Sequence, residues 1–508
     1  EATISGPAYV HTEGVATVSV PEQRGATVLW TVENGSIVSQ DGMEMTLAPA
    51  GPGTVRVQAQ VQGGNGDVAD GTFELLAVPP PDATIAAPSE IPTGKIFTVS
   101  VAEQPGQSYA WSIVGGEIVS GQGSRELTFQ ASEPGTLVLS VQVENVFGEV
   151  ADDAADVEVR FGSFRPTGSM AYARANAEAV TLNDGRVLVM GGRLVPGYAS
   201  VGYVEAYDPQ TETFNPLPEM HDERYRFTAT LLQDGRVLAV GGIDSPNTAE
   251  IFDPVTNTWD RIASPLAPRW EHTATLLPDG RVLVVGGEDP NSTNSAEIFD
   301  PLSETWSWVS GPQHARASHG AGLLADGRVL VVGSKVLTPD PGAEVYDPST
   351  DAWSVVSGLQ SFYLSSVVVL SSGEALVSGG RDDGRGATTS TQSYTAATGS
   401  FSPTASMVGG RAEHASFLLP DGKALFIGGY DEYPWQSTYY EGGVREASAF
   451  DPVRRTQFAS MPMGVQRHAP TVALLPDGRV LVAGGEEVHF QDGEVVRVSL
   501  RTAELFEY

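Results

Sequence analysis

A repeat of about fifty residues constrains the fold of this 508-residue chain more than any other feature of its sequence. From residue 170 onward a pair of adjacent glycines, or Gly-Ser in the fourth copy, recurs every 45 to 56 residues. This period is typical of an array in which each short unit buries its apolar surface against its neighbours. The first glycines of the pairs are Gly191, Gly241, Gly286, Gly333, Gly379, Gly428 and Gly484.

Each copy predicts four short β-strands. The first is small and apolar and leads in six copies to an Asp-Gly dipeptide such as Asp279-Gly280, which suits a two-residue hairpin turn. The second is an unbroken apolar run, such as 281–287, as expected for a strand buried on both faces. A third strand and an aromatic-bearing fourth follow. Seven such copies predict a seven-bladed β-propeller over residues 161–508.

The seventh copy reaches Tyr508 within its third strand. The segment FGSFRPTGSM (161–170) is similar to the fourth strand of the fifth copy, TGSFSPTASM (398–407). We therefore predict that 161–170 completes blade 7, with Phe164 in the aromatic position. This closure would leave no open sheet edge for another chain to pair with.

The first 160 residues contain a second internal repeat, with an offset of about 81 residues. Trp30 recurs as Trp111, and short alternating strands with Gly-rich turns surround each tryptophan. This pattern predicts two tandem Ig-like β-sandwiches, residues 1–79 and 80–160, each with its tryptophan in the core. The fold class is therefore all-β throughout.

Two resemblances follow from these motifs. The glycine pairs, the acid-aromatic pair of strand three and the spaced aromatic of strand four resemble the kelch family. Segments such as LLPDGRVLVVGG (276–287) are similar to secreted bacterial kelch proteins with a galactose-oxidase-like central domain. The segment 109–145 resembles bacterial Ig-like and PKD-like surface modules. The resemblance implies a propeller that binds proteins or sugars, carried on spacer modules.

Oxidases of the galactose-oxidase type also join a kelch propeller to Ig-like modules. That resemblance implies a Tyr–Cys cross-link and a C-terminal domain that helps to ligate copper. This chain has no cysteine and ends inside the predicted propeller. We therefore expect no enzyme of that type. Acid clusters such as Asp152, Asp153 and Asp156 or Asp382 and Asp383 offer oxygen ligands for Ca²⁺, but their spacing matches no calcium-binding loop, so solvated turns are expected, with a Ca²⁺ site as the alternative.

The charge balance excludes several classes of partner. The chain has 63 acidic against 29 basic residues, a net charge of −34, and such a field repels nucleic acid and anionic lipid surfaces. We expect no nucleic-acid partner and no membrane insertion. The opening residues predict a strand, so we expect that any export signal has been removed or was not included in this sequence. An extracellular or bacterial cell-surface protein fits these features.

An arginine recurs ten residues before the hairpin aspartate, and a glutamate recurs on strand three. Both positions lie near the same end of a blade, so we predict a structural ring of ion pairs; a ring of free cations for an anionic ligand is the alternative. The arginines are Arg174, Arg224, Arg269, Arg316, Arg411 and Arg467, and the glutamates are Glu205, Glu250, Glu297, Glu344 and Glu504.

Three histidines, His272, His319 and His414, share one position on strand one. We expect these histidines to be structural. The alternative is a metal site near the axis, where the innermost strands converge and where Glu178 and His468 would add ligands. Whether a metal binds is left open by the sequence.

The loops after strand two in blades 6, 7 and 1 are long and aromatic, and they would form one sector of one face. Tyrosine and tryptophan give large contact area at low entropic cost. We predict ligand binding by Tyr198, Tyr203, Tyr430, Tyr433, Trp435, Tyr439, Tyr440, His489 and Phe490.

These features together predict an extracellular or cell-surface binding or adhesion protein. An Ig-like stalk would present the propeller to a glycan or protein ligand. The alternatives are a structural subunit of a bacterial surface fibre, self-assembled through the Ig-like domains, and a carbohydrate-active kelch enzyme of the oxidase or sugar-isomerase type.

Overall fold

The computed structural model describes residues 2–288, 291, 293–335, 342–360, 362–382, 386–435, 438–491 and 494–508. Within these ranges every regular element is a β-strand, and no helix is long and apolar enough to cross a membrane. The all-β prediction is confirmed. The chain divides into two compact units, Glu1–Val159 and Arg160–Tyr508. The predicted sandwich boundary between residues 79 and 80 stays a prediction.

The first unit consists of two sandwiches built from fourteen strands in chain order. The strands of the first are β1 (Tyr9–His11), β2 (Ala16–Ser19), β3 (Thr27–Glu33), β4 (Gly35–Asp41), β5 (Glu44–Pro49), β6 (Gly53–Gln62) and β7 (Val68–Val78). The strands of the second are β8 (Glu90–Pro92), β9 (Ile96–Ser100), β10 (Gln107–Val114), β11 (Glu117–Ser120), β12 (Glu126–Gln130), β13 (Gly135–Asn145) and β14 (Val150–Arg160).

The two sandwiches share one topology. The sheets of the first have the strand orders β1-β7-β6-β3 and β2-β5-β4, and those of the second have β8-β14-β13-β10 and β9-β12-β11. Side chains alternate between buried and exposed along β6, as expected for a sheet with one face in the core. Trp30 and Trp111 are buried in two separate apolar clusters. The repeat seen in the sequence is therefore a structural repeat.

In its described residues the second unit contains seven four-stranded sheets, the blades of the propeller. Blade 1 is β16 (Glu178–Thr181), β17 (Val187–Met190), β18 (Val204–Asp208) and β19 (Thr213–Leu217). Blade 2 is β20 (Thr228–Leu231), β21 (Val237–Val240), β22 (Ala249–Asp253) and β23 (Thr258–Arg261). Blade 3 is β24 (Thr273–Leu276), β25 (Val282–Val285), β26 (Ala296–Asp300) and β27 (Thr305–Val309). Blade 4 is β28 (Gly320–Leu323), β29 (Val329–Val332), β30 (Ala343–Asp347) and β31 (Ala352–Val356).

Blades 5 to 7 follow the same plan. Blade 5 is β32 (Ser366–Val369), β33 (Ala375–Ser378), β36 (Thr391–Thr395) and β37 (Ser400–Pro403), with a short ribbon of β34 (Arg381–Asp382) and β35 (Gly386–Ala387). Blade 6 is β38 (Ala415–Leu418), β39 (Ala424–Ile427), β42 (Ser448–Asp451) and β43 (Thr456–Ala459), with a hairpin of β40 (Tyr430–Trp435) and β41 (Thr438–Gly443). Blade 7 is β44 (Thr471–Leu474), β45 (Val480–Ala483), β48 (Ala503–Glu507) and β15 (Ser163–Pro166), with a hairpin of β46 (Glu486–Gln491) and β47 (Glu494–Ser499).

Blade 7 closes as predicted. β15 pairs antiparallel with β48, and Phe164 lies opposite Phe506 with ring centroids 5.0 Å apart. Apolar clusters join each blade to the next and continue from blade 7 back to blade 1, so the ring closes. The unbroken apolar run of strand two is buried on both faces, as in β25.

The double glycine is explained by its contact with the next blade. Gly241 and Gly242 have φ angles of 63° and 102°, which favour glycine over other residues. The Gly242 N–H donates to the carbonyl of Arg269 in the following blade, at 3.0 Å. A Cβ on Gly241 would collide with that same carbonyl. The motif therefore marks a point where two backbones meet.

Candidate functional site

The arginines of the ring lie inside the blades. Each of five donates from its guanidinium to the strand-three glutamate of its own blade, for example Arg224 to Glu250 at 2.8 Å and Arg316 to Glu344 at 2.7 Å. The same guanidiniums donate to backbone carbonyls, as Arg224 does to Gly241 at 2.8 Å. The five pairs are Arg174–Glu205, Arg224–Glu250, Arg269–Glu297, Arg316–Glu344 and Arg467–Glu504. All six ring arginines are fully buried, so no ligand reaches them.

Arg411 is the exception among the arginines, because Ser448 takes the glutamate position in its blade. Its guanidinium donates to the carbonyls of Phe426 and Glu446, both at 3.2 Å. Burial lowers the pKa of Arg411 to about 10, although the negative charges of Glu446 and Asp431 act in the opposite direction.

The histidines that share one position on strand one, His272, His319 and His414, each contact a hydroxyl group of a strand residue. His272 Nε2 lies 2.9 Å from Thr228 Oγ1 and His319 Nε2 lies 2.8 Å from Thr273 Oγ1, so each bond joins neighbouring blades. His414 Nε2 contacts the Ser378 hydroxyl at 2.8 Å. Burial disfavours the charged imidazole and lowers the pKa of both His319 and His414 to about 3. These rings are therefore neutral and contribute to packing between blades.

In the part of the chain that the structure describes, no group of three His, Cys, Asp or Glu residues is placed to hold a metal ion. Asp152, Asp153 and Asp156 lie on β14, where side chains alternate between faces, so their carboxylates do not converge. Asp153 instead accepts the Ile85 N–H at 2.8 Å. The Asp382 side chain and Asp383 lie outside the described residues.

A ring of backbone hydrogen bonds surrounds the axis of the second unit. The residue two positions after the ring arginine, or after Phe362 in blade 5, has a φ between 46° and 59° in every blade. In five of the blades its N–H donates to the equivalent carbonyl of the preceding blade, as Ser318 does to Glu271 at 2.9 Å and Leu364 does to Ser318 at 2.7 Å. The seven residues are Asn176, Arg226, Glu271, Ser318, Leu364, Glu413 and Ala469.

This ring separates two axial cavities. The inner channel, about 330 Å³, is lined by the histidines and by Glu178, whose pKa is raised to about 8 because burial disfavours its charged form. The outer cavity, about 430 Å³, is lined by the residues that follow the glycine pairs in four blades; we call it the axial mouth. Residues that line it are Arg193, Tyr198, Arg226, Glu271, Ser318, Lys335, Tyr363, Leu364, Arg381, Glu413, Tyr430, His468 and Arg497.

One isolated β-bridge in each of six blades brings residues of the mouth into place. The residue after the double glycine pairs with the residue after the ring arginine, as in Ala175↔Arg193, Tyr363↔Arg381 and His468↔Glu486. The residue that follows the glycine pair changes from each blade to the next around the axis. It reads Arg193, Ile243, Glu288, Lys335, Arg381, Tyr430 and Glu486.

Glu486 anchors one side of the mouth. Its buried carboxylate accepts from Arg193 Nη2 at 2.7 Å and lies 3.4 Å from Arg497 Nη1. Burial alone would raise the pKa of Glu486, but the hydrogen bonds and charges of His468 and Arg193 outweigh it and hold the pKa near 2. The Arg193 guanidinium also stacks on Tyr198, 4.7 Å from the ring centroid.

The predicted aromatic sector is placed in part by the structure. Tyr198 and Tyr430 line the mouth, whereas Tyr203 stacks on Tyr172 and is not among the lining residues. β41 of blade 6 packs beside β46 of blade 7, and Ser499 in β47 exchanges backbone and side-chain bonds with Val195 of blade 1. The side chains of Tyr433, Trp435, Tyr439, Tyr440, His489 and Phe490 lie outside the described residues.

The sequence prediction missed most of the mouth. Arg193, Arg226, Lys335, Arg381 and Arg497 come from five repeats and look like surface charges when read one at a time. The signal that would have found them is the alignment of the repeats. The position after the double glycine carries charged or aromatic residues in six of the seven blades, beside an otherwise apolar strand.

Comparison with known proteins agrees with this architecture. Residues 173–221, 224–266 and 272–312, which cover blades 1 to 3, match the Kelch motif, and residues 78–157 match the PKD-like domain. The second unit carries kelch motifs. No curated protein matches the chain.

One similar solved structure is of the galactose-oxidase type, "Novel fungal alcohol oxidase with catalytic diversity among the AA5 family, in complex with copper". It is 18% identical, with a TM-score of 0.56, and the match covers 68% of this chain and 76% of that one. At this identity the likeness shows the fold alone.

The residues at the mouth do not fit a copper ion of the kind that this neighbour holds. Tyr430 and His468 pack edge to face, with ring centroids 4.8 Å apart. However, Arg381 donates towards Tyr430 Oη at 3.4 Å, and Arg497 lies 3.2 Å from His468 Nδ1. Two guanidiniums beside the phenol and the imidazole would repel a metal cation.

Proposed function

We propose that the chain is an extracellular binding protein whose kelch unit recognises a glycan at the axial mouth. The PKD-like domain and its preceding repeat would serve as spacers. The kelch motifs and the PKD-like domain fit a binding or adhesion role. A secreted bacterial origin is part of this proposal and rests on the sequence resemblance.

The observation that carries the proposal is the contrast between the mouth and the rest of the blade. Elsewhere six of the seven repeats keep the residues that the fold needs, such as the buried arginine and the double glycine. At the mouth the equivalent positions change from blade to blade, and they include polar, charged and aromatic side chains. A rigid ring with varied side chains above it is a typical scaffold for a binding site.

Tyr198 is the aromatic residue best placed to contact a sugar. It is half exposed and stacks on Arg193. Its φ of 56° is uncommon for a residue with a large side chain, and such conformations cluster at functional sites. An exposed phenol ring beside fixed hydrogen-bond donors suits the apolar face and the hydroxyl groups of a sugar ring.

A glycan array tests this proposal with the full chain. We expect the glycans bound by the wild type to lose signal at least tenfold in Tyr198→Ala, since one buried aromatic contact is worth about 2 kcal/mol or more at a hot spot. Trp308→Ala is the matched control, because Trp308 is as exposed but lies on β27, the outermost strand of blade 3. Unchanged array signal for Tyr198→Ala would contradict the proposal, as would a wild type that binds no glycan.

A further inference from the structure

The ion pairs that arginine and lysine make with glutamate at the axial mouth share one feature: the cation is more exposed than the carboxylate. The Glu486 side chain is fully buried, whereas its partners Arg193 and Arg497 are 14% and 22% exposed. Lys335 is 51% exposed and its partner Glu288 is 16% exposed. Arg226, at 30%, is likewise more exposed than Glu271 and Glu413. Each described pair of arginine or lysine with glutamate at the mouth follows this rule.

The opposite end of the blades has the reverse orientation. At the Asp-Gly hairpins the aspartate is the more exposed partner, as in Asp477 at 49% against Arg479 at 21%. The same holds for the pairs Arg186–Asp184, Arg236–Asp234, Arg281–Asp279, Arg328–Asp326 and Lys423–Asp421. Among these described pairs, the more exposed partner is therefore the carboxylate at the hairpins and the cation at the mouth, in a chain of net charge −34.

We propose that the axial mouth binds the carboxylate of a sugar acid, a hexuronate, as a single residue or at the end of a glycan. This inference rests on the proposed function and adds the charge class of the ligand. The carboxylate would face Arg193, Lys335 and Arg497, whose charges are held in place by the acids beneath them. Guanidiniums stacked on aromatic rings keep their in-plane N–H groups available for a carboxylate.

The size and surroundings of the mouth favour a sugar acid over a long acidic chain. A cavity of about 430 Å³ fits one or two sugar residues, and Tyr198, Tyr363 and Tyr430 supply aromatic surface within it. At physiological salt, charges beyond about 8 Å are largely screened, so one carboxylate responds mainly to the cations that it touches. A polyanion would extend past the mouth and meet the excess of acidic residues on the rest of the chain.

The test is calorimetric titration of the full chain with glucuronate, and with glucose as its neutral counterpart. We expect binding of glucuronate and at least tenfold weaker binding of glucose. Lys335→Gln and Arg497→Gln should each weaken glucuronate binding about tenfold, and thermal unfolding would verify that both variants fold. Arg261→Gln is the matched control: it removes one positive charge from an exposed arginine paired with Asp222 in the outermost strand of blade 2, and it should change affinity less than twofold.

The outcomes separate the two proposals. If glucose binds as well as glucuronate, and Tyr198→Ala abolishes both, the mouth is a glycan site and the inference of a sugar acid is wrong. If glucuronate binds but both mouth variants behave like Arg261→Gln, the site lies elsewhere and both proposals are wrong. Stronger binding of a glutamate-rich peptide than of glucuronate would replace the sugar acid with an acidic protein segment.

Discussion

Burial of an arginine costs free energy because its charge leaves water, and the geometry of the side chain explains why the blades nevertheless contain it. The planar guanidinium offers five N–H donors in a fixed arrangement. In Arg269 one of them reaches the Gly286 carbonyl and another reaches Glu297, both at 2.5 Å. One side chain thus satisfies a carbonyl at the double glycine and fixes the third strand. The arginine therefore links the start of strand one to the ends of strands two and three.

The first prediction concerns this residue. Arg269→Met should lower the free energy of unfolding of the second unit by about 3–5 kcal/mol, because Glu297 would remain buried without its partner. Arg281→Met, which removes an exposed pair with Asp279 from the same blade, should cost about 0–1 kcal/mol. Urea denaturation followed by tryptophan fluorescence measures both. Equal, small losses would show that the buried pair contributes nothing beyond packing.

At the scale of the element, blade closure depends on a short strand far from the rest of its blade in sequence. β15 pairs with β48 across more than 330 positions of the chain, and Arg165 adds ion pairs to Glu507 and to Glu212 of blade 1. Gly162, just before β15, has a φ of 70°, and a Cβ there would collide with the Glu507 carbonyl. Gly399 is its equivalent before β37 of blade 5, with a φ of 61° and open space around it.

These two glycines provide a matched pair of substitutions. Gly399→Ala should cost about 1–2 kcal/mol, since alanine tolerates the left-handed region poorly. Gly162→Ala should cost more, because the collision with the Glu507 carbonyl forces β15 away from β48. We expect a larger fall in the unfolding midpoint and greater susceptibility of the N-terminal side of β15 to proteolysis. Equal midpoints for the two variants would mean that closure of blade 7 tolerates displacement of β15.

The sequence predicted the strands and the blades but not the residues that line the axial mouth, and the reason is physical. Hairpin turns and glycine pairs are local requirements of the backbone, so the same residues recur in each copy. The closing strand was predicted because 161–170 is similar to 398–407. The mouth collects one to three residues from each repeat, separated within a copy and spread over seven copies. No local pattern specifies which cation faces the opening, because that depends on the burial of the partner acid, as for Arg193 and Glu486.

At the scale of the whole molecule, excess negative charge opposes the compact state. A net charge of −34 implies repulsion among exposed carboxylates that salt weakens. The pairs that hold the blades are fully buried, so added salt screens them little. The exposed hairpin pairs do weaken with salt, but each contributes about 1 kcal/mol at most. The repulsion therefore decides the sign of the salt effect.

The last prediction follows from this balance. The thermal midpoint should rise when NaCl is raised from 0.01 M to 0.5 M, as the Debye length falls from about 30 Å to less than 5 Å. CaCl₂ and MgCl₂ at equal ionic strength should give equal midpoints, because Asp152, Asp153 and Asp156 lie on both faces of β14 and cannot surround one ion. Differential scanning calorimetry of the full chain measures all three salts. Extra stabilisation by calcium alone would reveal a site built from other acids, and a midpoint that falls with NaCl would mean that surface ion pairs outweigh the repulsion.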